Sequence, residues 1–113
     1  MRKYANVLVE GDSMEPTFSS GDWLMAKWGS FGLRSQWWQL GSRVKVGDAV
    51  VIERAEQPGI FYIKRISEIN GDEYKVYVLS DNEAGTDSRT WGWLPGFYVK
   101  ARVVSRVKKS KKK

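Results

Sequence analysis

Short apolar runs rich in Val, Ile, Tyr and Phe, cut every few residues by Gly, Asp or Asn, constrain this chain to a β architecture. The runs predict strands near residues 6–10, 23–27, 49–53, 61–69, 74–79 and 99–107, and helix signals are scarce. Asn70-Gly71 between the fourth and fifth runs is a hairpin signal, because both residues tolerate the positive φ of a tight turn between twisted strands. The expectation is a mainly β domain of coiled antiparallel sheets with few or no helices. At 113 residues the chain is the size of one domain, taken as residues 1–105 with a Trp-rich insertion at 28–43. That insertion carries Trp28, Phe31, Leu33, Trp37, Trp38 and Leu40; the aromatics either fold back over the sheet or form an exposed patch for a membrane interface or substrate groove.

What is missing narrows the chemistry. There is no cysteine and no histidine. Disulfides, thiolate nucleophiles, the Ser/His/Asp triad and imidazole metal sites all fall away, so any general base is a carboxylate, a tyrosine or a lysine. No metal and no cofactor is expected. No apolar run approaches the roughly 20 residues of a membrane span, and residues 1–6 lack the apolar stretch of a secretory leader. The chain is therefore expected to be soluble and cytoplasmic, or peripheral to a membrane.

The net charge of +6 is a property of the C-terminus. Arg106, Lys108, Lys109, Lys111, Lys112 and Lys113 carry it, and the remaining basic side chains equal the 13 acidic ones. A run of this kind reads as a solvated, disordered tail over residues 106–113, with an anionic membrane surface or nucleic acid as the functional alternatives. No specific nucleic-acid partner is expected.

Three segments carry chemistry. In Gly11-Asp12-Ser13-Met14-Glu15-Pro16-Thr17-Phe18, Gly11 and Pro16 mark an irregular loop leaving a strand, a setting that can present a hydroxyl and backbone N–H groups to a substrate. Taken alone, an Asp-Ser pair there is more often a plain turn. In Phe61-Tyr62-Ile63-Lys64-Arg65-Ile66, strand alternation puts Lys64 on one face with Tyr62 and Ile66, and Phe61, Ile63 and Arg65 on the other. One cation thus sits among apolar side chains, where burial lowers a lysine pKa toward the range useful for a base; the alternative is an edge lysine whose amine reaches water. The polar stretch from Ser80 through Gly92 reads as a solvated loop, or as one whose carboxylates pair with arginines and whose hydroxyls orient the lysine.

Taken in order, these segments resemble the type I signal peptidases and their soluble relatives, such as the nickel superoxide dismutase maturation peptidases. The resemblance rests on the Gly-x-Ser-Met-x-Pro-Thr box at 11–17 with Gly21-Asp22, on Gly47-Asp48-Ala49-Val50-Val51, on Lys64-Arg65, and on Asp81-Asn82 with Asp87-Ser88-Arg89-x-x-Gly92. It implies a serine endopeptidase with Ser13 as nucleophile and Lys64 as general base, cleaving a protein precursor or signal peptide, bound as an extended strand, after small residues. It further implies that the Ser13 N–H forms part of the oxyanion hole with Asp12 and Met14 among the residues supporting the site, that Arg65 pairs with Asp81 and Asp87 with Arg89, and that Thr86 is a candidate for orienting the lysine. The residue two before Ser13 is Gly11, so a side-chain oxyanion donor that some members carry there is lacking. A LexA-like self-cleaving regulator shares the chemistry, but its Ala-Gly bond precedes the serine, whereas Ala84-Gly85 follows the lysine here. The other alternative is a non-catalytic β module that binds membrane or nucleic acid through the basic tail.

Overall fold

A computed structural model describes residues 4–29 and 44–109. The chain forms β1 (Tyr4–Leu8), β2 (Trp23–Trp28), β3 (Ala49–Glu53), β4 (Phe61–Asn70), β5 (Lys75–Leu79), a one-turn helix α1 (Ser88–Trp91), β6 (Leu94–Pro95), a 3-10 turn (Gly96–Tyr98) and β7 (Val99–Lys108). All strand pairs are antiparallel, in one curled sheet of order β1-β2-β7-β3-β4-β5-β6. The mainly β expectation holds. Most of the Trp-rich insertion at 28–43, with both readings of its aromatics, lies outside the described residues.

β3 explains how the sheet holds together. Its Ala49, Val50, Val51 and Ile52 are all buried, the signature of a strand covered on both faces. Val50 and Ile52 join a cluster with Val44, Ile66, Val76, Val78, Leu94, Tyr98 and Val99, while Val51 packs with Ala26 and Ala101 behind it. Lys64 stands directly opposite Val50 across the β3–β4 ladder. Cross-strand partners share a face, so the larger apolar cluster receives the lysine.

Some details differ from the sequence reading. The 61–69 and 74–79 runs do pair, but the positive φ of their turn falls on Tyr74 (58°), with the Asn70 side chain accepting from the Glu73 N–H at 3.1 Å. A longer, side-chain-capped turn therefore replaces the two-residue turn expected at Asn70-Gly71. β1 begins at Tyr4; Val9 extends the pairing by donating to the Asp22 carbonyl and accepting from the Gly21 N–H. β7 runs to Lys108, so the first part of the basic run, with Arg106 opposite Leu24 and Lys108 opposite Trp23, belongs to the sheet. α1 had no periodic signal at four residues, but its caps do show in the sequence: the Asp87 side chain accepts from the Arg89 N–H, and Gly92 closes the turn at φ 77°.

Because Ile52 is fully buried in the central strand, Ile52→Ala is expected to cost about 2–5 kcal/mol, measured by urea unfolding. The exposed Glu68→Ala should stay within about 0.5 kcal/mol.

Candidate active site

The lysine that sequence alternation sets among apolar residues is only 2% exposed. Its Nζ lies 5.5 Å from the Tyr62 ring centre and 5.7 Å from that of Trp91, and the two rings meet edge to face at 5.1 Å. Burial pushes the Lys64 amine below its usual 10.5. The nearby Asp87 carboxylate pulls it back up, and the Arg89 guanidinium pushes it down again. The amine donates to Ser80 Oγ at 2.9 Å.

Ser13 is carried by another element. Its loop runs from Glu10 to Gly21, and Met14, 2% exposed, pins it by turning its side chain inward. The loop after β5 clamps it: the Asn82 N–H donates to the Ser13 carbonyl at 2.8 Å, and Asn82 Nδ2 to the Asp12 carbonyl at 3.0 Å. Met14 Sδ accepts from the Asp81 N–H at 3.4 Å. Between the two loops sits Gly85. A β-carbon built on it would lie 2.5 Å from Ser80 Oγ and 2.8 Å from Ser13 Cβ, so Gly85 packs against both serines, of which Ser80 meets the Lys64 amine.

Two ion pairs hold the clamp. Arg65, on the opposite face of β4 from Lys64, donates from Nε and Nη2 to the two Asp81 oxygens at 2.9 and 2.7 Å, and from Nη1 to the Gly47 carbonyl at 2.9 Å. The Arg65 hydrogen bonds lower the Asp81 pKa against the opposing effect of its partial burial, aided by a bond from the Thr17 side chain. Asp87 is 1% exposed. Burial alone would raise its pKa, but the Arg89 side chain and the Ser80 and Arg89 N–H groups outweigh it and hold the carboxyl at about 2. Arg89 also reaches the Glu83 carbonyl at 2.9 Å, closing the loop over residues 83–87.

Of the residues singled out in the sequence, Ser13, Met14 and Asp81 meet in the clamp between the two loops, and Lys64 and Asp87 meet on Ser80. Asp12 contributes its backbone carbonyl, while its exposed side chain has no part in the clamp. Thr86 does not meet the lysine through its hydroxyl; its carbonyl faces Ser80 Oγ at 3.4 Å. The side chain that meets Lys64 is Ser80, which the sequence reading did not single out. Its place follows from the register beyond the irregularity between Ile66 and Glu68: Arg65 pairs with Leu79, and one further step sets Lys64 across from Ser80.

A groove of about 420 Å³ opens beside Ser13, lined by Val7, Val9, Met14, Ile60, Phe61 and Ile63 among others. Both its long walls are strand edges. β1 ends the sheet, and β5 covers only Arg65–Asn70 of β4, which leaves residues 61–64 unpaired on that side among the described residues. Metal-ligand clusters are likewise absent among the described residues.

Since the folded state binds the Lys64 proton less tightly than the unfolded chain, stability should rise with pH between the depressed folded value and 10.5. Lys64→Met should remove this slope. Its stabilising effect should be largest below the folded value and fade as pH approaches 10.5, as read by urea unfolding across pH.

No curated protein matches the chain. The family model described as signal peptidase, peptidase S26, matches residues 1–76, a stretch that includes the Ser13 loop, β3 and Lys64. The chain belongs to the signal peptidase family, peptidase S26, and is at that level a serine peptidase.

Proposed function

We propose that the protein is a serine endopeptidase in which Ser13 attacks and Lys64 is the base, and that it cuts a protein precursor or signal peptide after small residues. The observation that carries this reading is the buried Lys64 amine, its pKa lowered, bonded to Ser80, with Gly85 packed against both Ser80 and Ser13. A neutral amine takes the Ser13 hydroxyl proton as Oγ adds to the scissile carbonyl. The Ser13 N–H stabilises the resulting oxyanion. The Lys64 ammonium then gives its proton to the leaving amine, and the same amine activates the water that hydrolyses the acyl-enzyme. No step needs a cofactor.

The groove supports an extended substrate. Val9 turns its N–H and carbonyl toward β2, so by alternation Leu8 and Glu10 present theirs to the open edge. On the other wall Ile66 bonds toward β3, so Phe61 and Ile63 present theirs. β1 and β4 run parallel, and a peptide laid between them joins both edges by backbone hydrogen bonds, which suits recognition of the main chain with small side chains near Ser13.

For location, no helix among the described residues is long and apolar enough to cross a membrane. We favour peripheral contact through the outer face of β1, β2 and β7, where Leu8 (41% exposed), Trp23 (39%) and Lys108 lie in one cross-strand row. Sedimentation with phosphatidylglycerol vesicles should bring the protein down, and Trp23→Ser should weaken this at least severalfold. Equal recovery with neutral and anionic vesicles, or none with either, would refute the contact.

For the chemistry, candidate precursors incubated with the wild type should yield new termini by mass spectrometry that Ser13→Ala does not yield. Lys64→Arg should be equally inactive, since arginine does not give up its proton. Wild-type activity should rise with pH as Lys64 loses its proton. A Lys64→Ala protein that still cleaved at the normal rate would remove lysine from the mechanism.

A further inference from the structure

The groove beside Ser13 is apolar along both walls but for a single carboxylate. Among its lining residues only Glu10 carries a charge. Glu10 is exposed, and its carboxylate makes no ion pair among the described residues. A charge left unpaired in a substrate groove is a recognition element waiting for a cation.

The chain fixes where that carboxylate stands. Val9 is bonded to the Gly21-Asp22 backbone, and Gly11, at φ 83°, turns the chain out of the strand into the nucleophile loop. Glu10 therefore ends the β1 edge, three residues before Ser13. Three residues of extended chain span about 11 Å at most. A peptide laid along the edge advances about 3.3 Å per residue, so the substrate residue facing Glu10 lies within about three positions of the bond at Ser13.

The surrounding charge has the same sign. From Tyr4 to Asp22 the chain carries Glu10, Asp12, Glu15 and Asp22, and neither lysine nor arginine. Arg106 reaches into this stretch, but it is taken up by Asp22 and the Thr17 carbonyl, at 3.4 and 3.2 Å. On the opposite wall residues 59–63 carry no charge, and Lys64, next in line, is buried and bonded to Ser80. A substrate cation entering here meets an opposite charge between apolar walls, where the attraction is stronger than in open water.

We infer that Glu10 is a specificity-determining residue that selects substrates carrying a lysine or arginine within about three residues of the scissile bond. The inference rests on the reading of this groove as the peptide site and deepens it: the preferred precursor has a basic residue close to the small one.

The test uses the full chain and quenched fluorogenic peptides with alanine before the scissile bond. Lysine, norleucine or glutamate is placed in turn at each other position within three residues of that bond. At one position the wild type should favour lysine over norleucine by about 3- to 10-fold in kcat/KM, an effect carried by KM and weakened by added salt. Glu10→Gln should bring this ratio to about one, and Glu10→Lys should reverse it in favour of glutamate. A wild type indifferent to lysine at every position, or a lysine preference that survives Glu10→Lys, overturns the inference. Binding of fluorescein-labelled versions to Ser13→Ala, read by anisotropy, needs no cleavage. If the wild type cuts none of the peptides, the peptidase reading fails by itself. The anisotropy ranking then still decides Glu10: tightest binding of a lysine peptide, reversed when Glu10→Lys is added, supports the selection, and equal binding or none refutes it.

Discussion

The confinement of one amine in an apolar pocket governs this structure. Lys64 faces the main core cluster because it stands opposite Val50 on a strand whose every second residue packs inward. A charged amine there is costly unless it is paired, and the hydrogen-bond partner the fold supplies is a neutral hydroxyl rather than a carboxylate. The pocket therefore favours the uncharged form, which a catalytic lysine needs and an ordinary structural lysine does not.

The charges around it are arranged to preserve that condition. Asp87 is close enough to favour the ammonium, and an unpaired carboxylate at that place would tend to cancel the effect of burial. Arg89 engages both its oxygens and offsets it. On the opposite face of β4, Arg65 does the corresponding service for Asp81, whose backbone N–H meets the Met14 sulfur. The two pairs thus fix the loop after β5 against the Ser13 loop. Their value is geometric as well as electrostatic, because two-pronged guanidinium–carboxylate contacts set orientation in a way that single contacts do not.

Much of this was legible in the sequence, and the rest failed for identifiable reasons. Alternation alone separates Lys64 from Arg65, since the period of two is fixed once the strand is recognised. The Arg65–Asp81 and Asp87–Arg89 pairs follow only from the family resemblance, as nothing local says which loop meets which strand. Ser80 was hidden by a bulge. Near the turn Asn70 pairs with Lys75, and carrying that register forward would place Asp81 across from Lys64; the irregularity between Ile66 and Glu68 moves the pairing by one and brings Ser80 there instead. Thr86, chosen for its hydroxyl, contributes its carbonyl, because side-chain chemistry gives no information about backbone direction in an irregular loop. β6 escaped notice because it has two residues and ends in Pro95, a residue suited to a sheet edge.

The protonation state of Lys64 is the most direct check on this account. Lysine labelled at Cε and titrated by NMR in a Ser13→Ala protein, which holds substrate turnover out of the measurement, should show one resonance whose midpoint lies well below 10.5 and which disappears in Lys64→Met. A titration in which every lysine has its midpoint at 10.5 or above would show that the pocket does not neutralise the amine, and the role assigned to Lys64 would fall.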